Sequence, residues 1–135
     1  MDFVLDTNFL IGFWRHPHDG AERQFLNAHA DATLALPWVV RAKFLCGAVV
    51  ANHDLARVSA FLSNYPVIWP NDAILLNYAQ FFAQLRRNNL HVGTNDLWIA
   101  AAAAQAKRPL LTRNVAELSR IDKLTIIDYA KLYKK

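Results

Sequence analysis

Five short apolar runs, each stopped by a proline or a polar residue and separated by stretches of helical spacing, constrain this chain most. They are Phe3-Val4-Leu5 before Asp6, Thr33 to Leu36 before Pro37, Pro66 to Pro70, Leu110-Leu111-Thr112, and Leu124 to Ile127. Between them, Thr7 to Trp14 repeats Phe9, Leu10, Phe13 and Trp14 at helical intervals, and Ala21 to His29 forms a second short helix with Phe25 and Leu26 inward. Pro37 suits the first turn of a helix that runs to Val50 or Ala51. Asn52-His53-Asp54 offers a cap for Leu55 to Asn64, with Leu55, Val58, Phe61 and Leu62 at helical spacing, and Asn71-Asp72 caps a long helix ending near Arg86 to Asn89. Asp96 to Lys107 is the most helical segment, followed by Val115 to Ser119 and a last turn over Tyr129 to Tyr133. Apolar strands alternating with helices predict a three-layer α/β/α sandwich around a parallel sheet of four or five short strands. In such sheets ligands gather outside the C-terminal strand ends.

Composition narrows the class. The 135 residues suit one domain over 1–135, and 54% hydrophobic against 19% charged residues exclude a disordered chain. No apolar run reaches the roughly 18 to 20 residues that cross a bilayer, so no membrane role is expected. The N-terminus lacks a basic leader pattern, and the single cysteine, Cys46, has no partner for an internal disulfide. A cytoplasmic location is the expectation. Residues 1–106 carry seven Lys/Arg and eight Asp/Glu, whereas residues 107–135 carry eight basic and three acidic residues. That basic final quarter is compatible with a polyanion partner such as nucleic acid, and equally with a solvated tail. His16, His18, His29, His53 and His91 show no paired metal spacing and read as surface or loop residues.

The chemistry-bearing residues fall where the fold places ligands. Asp6 ends the first strand, where it reads either as a helix cap or as a metal-ligand carboxylate. A haloacid-type phosphatase needs a second Asp two positions on, and Asn8 stands there; a dinucleotide site needs a glycine-rich turn, and no glycine precedes Gly12. A receiver-like phosphoacceptor needs an Asp ending the third strand, which closes instead on Trp69-Pro70-Asn71. Asp96 opens a helix, where the dipole favours a carboxylate. Thr112-Arg113-Asn114 follows the fourth strand, with Asn114 and Glu117 at capping-box spacing.

Four blocks, Leu5-Asp6-Thr7-Asn8, Ala42-Lys43-Phe44-Leu45-Cys46-Gly47-Ala48, Asn95-Asp96-Leu97-Trp98-Ile99-Ala100-Ala101 and Leu111-Thr112-Arg113-Asn114, occur together in order. In these the chain resembles PIN-domain ribonucleases of the VapC toxin family of type II toxin–antitoxin systems. The resemblance implies acidic groups gathered around Mg²⁺ or Mn²⁺, cleavage of single-stranded RNA or tRNA, a homodimer, and a VapB-type antitoxin that blocks the site. It assigns Asp6 and Asp96 as metal ligands and Asn114 as a residue supporting a ligand or the attacking water. Thr7, Asn8 and Thr112 would hold the ligands in place, and Arg41 and Arg113 would contact RNA.

Lys43 departs from the family's pattern, which has glutamate there in Ala-Glu-Leu-Leu-x-Gly. An ammonium has three donors and no acceptor, so it cannot ligate a cation. At ~5 Å from a divalent ion its repulsion is roughly 2 kcal/mol at the dielectric of water and about 7 at an effective dielectric of 20. The expectation is an impaired nuclease, with a catalytically dead module that binds an antitoxin or RNA as the alternative.

Overall fold

The computed structural model describes residues 1–132; Tyr133, Lys134 and Lys135, which belong to the expected last turn and basic tail, lie outside the described residues. Each apolar run forms a strand, the last three shorter than their runs: β1 (Phe3–Leu5), β2 (Leu34–Pro37), β3 (Val67–Ile68), β4 (Leu110–Leu111) and β5 (Ile126–Ile127). All pair in parallel, in the order β3-β2-β1-β4-β5. Val4, Leu5, Ala35, Leu36, Leu110 and Leu111 are fully buried, as a parallel sheet covered by helices on both faces requires. Burying each such Val or Leu side chain stabilises the fold by about 1.5–3 kcal/mol. The three-layer α/β/α architecture is thus present with five strands.

Among the described residues eight helices flank these strands: α1 (Thr7–Arg15), α2 (Ala21–Ala28), α3 (Trp38–Val50), α4 (Leu55–Leu62), α5 (Asp72–Arg87), α6 (Thr94–Ala106), α7 (Val115–Leu118) and α8 (Tyr129–Leu132). Asp6, Asp54 and Asn71 accept from backbone N–H groups at the starts of α1, α4 and α5, at 2.5, 3.0 and 2.9 Å. Pro37 is displaced from its expected place in the first turn of α3: with φ −56° and ψ 145° it is extended, closes β2 and stands at the helix cap. Leu55, the first residue of α4, is 53% exposed, and Val58 and Leu62 bury the helix. His29 is not a free surface residue either. It stacks on Phe25 with centroids 4.2 Å apart and bonds the Phe25 carbonyl through Nδ1 at 3.1 Å.

Topology decides where chemistry is possible. From central β1 the chain builds outward through β2 and β3, then crosses back to place β4 and β5 on the other side of β1. The switch point lies between β1 and β4, whose last residues, Leu5 and Leu111, are register partners. Asp6 and Thr112 are therefore neighbours although 106 positions apart, and Asp6 N donates to Leu111 O at 3.1 Å. Ala100 to Ala103 are all buried, which lets α6 sit close to its neighbours, and Asn77 of α5 donates Nδ2 to Ala101 O at 3.2 Å.

Gly12 sets the approach of α1 and α2. A Cβ added there would lie 1.8 Å from Glu22 Oε1, so only glycine leaves room for that carboxylate. Gly12→Ala is expected to destabilise the fold by about 1–3 kcal/mol, the usual cost of overpacking. Urea unfolding measures this, and an unchanged midpoint would contradict the packing described.

Candidate active site

The loop after β4 supplies the site's framework. Thr112 is fully buried; its hydroxyl donates to Asp6 Oδ2 at 2.6 Å and accepts from Asn114 N at 2.9 Å. Asp6 Oδ1 accepts from Thr7 N at 2.5 Å, so this 4%-exposed carboxylate has a protein donor on each oxygen. Charge-assisted bonds of this kind contribute about 1.5–3 kcal/mol each. Thr112→Val removes the hydroxyl and is expected to cost about that much stability. Thermal unfolding measures the loss; a variant as stable as the parent would contradict the role given to Thr112.

The Asn114 side chain turns away from capping α7. Its Nδ2 donates to Asp96 Oδ2 and to Glu117 Oε2, both at 3.1 Å, and makes no cap bond. The expected capping box is absent: Asn114 N donates to Thr112 Oγ1 rather than to Glu117, and the side-chain Nδ2 is engaged by two carboxylates. Glu117 in turn accepts from Gly93 N at 2.7 Å, the N-cap of α6, so that helix starts at Thr94, two residues before the expected Asp96. Asp96 occupies the first turn of α6, with Gly93, Asn114 and Glu117 around it.

Asp6, Thr7, Asn8, Ile11, Lys43, Asp96, Arg113 and Asn114 line one cleft of about 460 Å³. Burial, Asp6 and then Glu117 raise the Asp96 pKa above its ordinary value, while Lys43 and the Asn114 amide act in the opposite direction. The Gly93 N–H and the Asn114 amide hold Glu117 below the usual carboxylate range. Lys43 is exposed and forms no salt bridge with Asp6 or Asp96 among the described residues. It acts on Asp96 through space, from the cleft wall.

The donor set admits a hard cation. Among the described residues no group of three or more His, Cys, Asp or Glu side chains has metal-site spacing. Asp6 and Asp96 nevertheless face one cleft, and their mutual repulsion is unrelieved by a salt bridge. Thr7 Oγ1, also at the cleft, is buried without any hydrogen-bond partner. Two carboxylates with space for water suit Mg²⁺, which keeps several waters and takes one or two protein carboxylates.

Most of the expected site residues therefore meet. Arg41 is the exception and is not among the residues lining the cleft. Of the described basic residues in the final quarter, only Arg113 lines it; Arg108 and Arg120 donate instead to Met1 O and His91 O. Two acids escaped the sequence reading as site residues. Glu117 was visible only as a capping partner of Asn114. Glu22 is 2% exposed and pairs with Arg113 at 3.3 Å; its signal was position, an acid sharing the inward face of α2 with Phe25 and Leu26.

A parallel sheet with acidic residues meeting at its switch point is the architecture of the PIN fold. The PIN domain model matches residues 3–124, and the chain belongs to the PIN-domain family, within its VapC branch. "Ribonuclease VapC1" of Haemophilus influenzae strain R2866 is 30% identical over 97% of this chain and 100% of its own length. The "tRNA(fMet)-specific endonuclease VapC" of Salmonella typhimurium is 27% identical over 96% of this chain and 98% of its own. Among solved structures, VapBC-1 from nontypeable Haemophilus influenzae superposes with a TM-score of 0.82 at 26% identity, covering 96% of this chain and 98% of that one. DNA-bound VapBC from Salmonella typhimurium superposes with a TM-score of 0.84 at 25% identity and the same coverage.

Proposed function

We propose that this chain is the toxin of a type II toxin–antitoxin system, a metal-dependent endoribonuclease for single-stranded RNA or tRNA whose activity is held low by Lys43. One observation carries the reading: Asp6 and Asp96 face one cleft at the sheet's switch point, tied there by Thr112 and Asn114 of a single loop. The names of the relatives support the class of reaction, and the VapBC complexes support a VapB-type antitoxin as partner. No helix among the described residues is long and apolar enough to cross a membrane.

Asp6 and Asp96 would hold Mg²⁺ or Mn²⁺. When bound, such an ion lowers the pKa of water and offsets charge developing on the phosphate. The chain's own residues do the rest. Thr112 and the Thr7 N–H fix the Asp6 carboxylate, so little reorganisation remains when substrate arrives. The Asn114 amide bridges Asp96 and Glu117, fixing one Asp96 oxygen, while the other accepts no hydrogen bond among the described residues. Lys43 places a positive charge at the cleft wall, where it attracts a phosphate but opposes a divalent cation.

A homodimer is part of the proposal. Leu75, Leu76 and Phe82 of α5 are about half exposed and Trp69 is 65% exposed, giving apolar surface for a second copy. The second reading, a binding module without catalysis, is favoured by the Lys43 charge alone. RNA cleavage by the chain and by Lys43→Glu, each with Mg²⁺ and with chelator, separates the two. Chelator-sensitive cleavage that rises in the variant supports the nuclease; none in either supports the module.

A further inference from the structure

Between Thr112 and Asn114, which point toward the two carboxylates, Arg113 is held by residues from two other elements. Its Nη2 donates to Glu22 Oε1 at 3.3 Å, and its Nε donates to the Tyr129 hydroxyl at 3.2 Å. The Arg113 Cζ lies 5.5 Å from the centre of the Tyr129 ring. Glu22 is 2% exposed and Tyr129 fully buried, whereas the Arg113 side chain is 51% exposed. Gly12 leaves the space in which the Glu22 carboxylate sits. Burial pushes the Tyr129 phenol up to about 12, so its hydroxyl stays neutral at ordinary pH. Arg113 also lines both the cleft and an adjoining cavity of about 420 Å³ that shares Asn8 and Ile11 with it.

This arrangement uses one edge of the guanidinium and spares the other. Nε and one N–H of Nη2 are taken, while Nη1 makes no hydrogen bond among the described residues. The spared edge, Nη1 with the second N–H of Nη2, is the fork that binds phosphate oxygens in pairs. A long side chain on a surface loop otherwise loses rotamer entropy when it binds, and fixing it beforehand removes that cost.

We propose that Glu22 and Tyr129 are positioning residues that hold Arg113 at the cleft wall, with its free edge set to receive a backbone phosphate of the RNA strand beside the scissile bond. This rests on the nuclease reading and adds to it a defined phosphate contact and the two residues that aim it. The competing account makes Arg113 only the internal counter-charge of a buried Glu22, and the two differ in sign. An aimed arginine binds RNA less well when Glu22 is neutralised. A merely compensating one is released, and binding tightens.

The test is fluorescence anisotropy of a non-cleavable 2′-O-methyl RNA 12-mer, in chelator, across a salt series. Arg113→Gln is expected to weaken binding and to reduce the slope of log K against log salt by about 0.7, the loss of one phosphate contact on a single strand. Glu22→Gln is expected to weaken binding by about threefold to tenfold with the slope unchanged, because the cation remains but is no longer aimed. Tyr129→Phe loses only the hydroxyl and is expected to act in the same direction with a smaller effect; it decides the matter if Glu22→Gln does not fold. Tighter or unchanged binding in the folded variants overturns the positioning role, as does an unchanged slope in Arg113→Gln. If the unmodified chain binds no RNA, the nuclease reading itself fails, and this role with it.

Discussion

Lys43→Glu is expected to raise Mg²⁺-dependent RNA cleavage by about tenfold to a thousandfold at subsaturating metal. The size follows from charge. Lys43 is exposed, so the water-screened repulsion of roughly 2 kcal/mol for a divalent ion at ~5 Å applies rather than the larger buried value. Removing the cation recovers about that much, and the new carboxylate adds a similar attraction, about 4 kcal/mol together before salt screening. At 1.4 kcal/mol per factor of ten this is near a thousandfold in metal affinity, and screening brings it toward the lower end. The variant also gives Asp96 a third acidic neighbour beside Asp6 and Glu117, which strengthens the demand for a cation. Initial rates on a labelled RNA across a Mg²⁺ series measure the change. Equal rates at every metal concentration would show that Lys43 is not what limits the site.

Asp6→Asn, made in the Lys43→Glu background, is expected to abolish that gain, lowering cleavage by more than about a thousandfold. Asp6 is the deepest carboxylate of the cleft and the one with both oxygens held by donors. An amide presents one acceptor, so its NH₂ must face either the Thr7 N–H or the Thr112 hydroxyl, and one charge-assisted bond is lost with the charge. Stability should fall by about 1.5–3 kcal/mol, partly offset by relief of repulsion with Asp96. Cleavage rates beside urea unfolding separate the two effects. A folded variant that retains cleavage within tenfold would remove Asp6 from the metal site.

The layers of this fold are readable in its sequence because each strand is a short apolar run ended by a cap or a proline, as at Leu5-Asp6 and Leu36-Pro37. The strand order is not, since it depends on which edge of β1 the chain returns to after β3. The joining of Asp6 and Asp96 was legible from their places at a strand end and a helix start together with a family resemblance; alone, each has an adequate reading as a helix-start residue. Side-chain choice was the least legible. Asn114 could cap its own helix or bridge Asp96 and Glu117, and only three-dimensional proximity of the carboxylates decides it. Arg113 read as an RNA contact, but its hold on Glu22 and Tyr129 joins residues 91 and 16 positions away.

Calorimetric titration of Mn²⁺ into the unmodified chain and into Lys43→Glu, without RNA, tests most directly whether two aspartates share a cation site that a lysine opposes. The account predicts a weak site in the unmodified chain, tightened by about tenfold or more in the variant and lost when Asp6→Asn is added. Equal affinity with glutamate or lysine at position 43, or binding that survives Asp6→Asn, would contradict it.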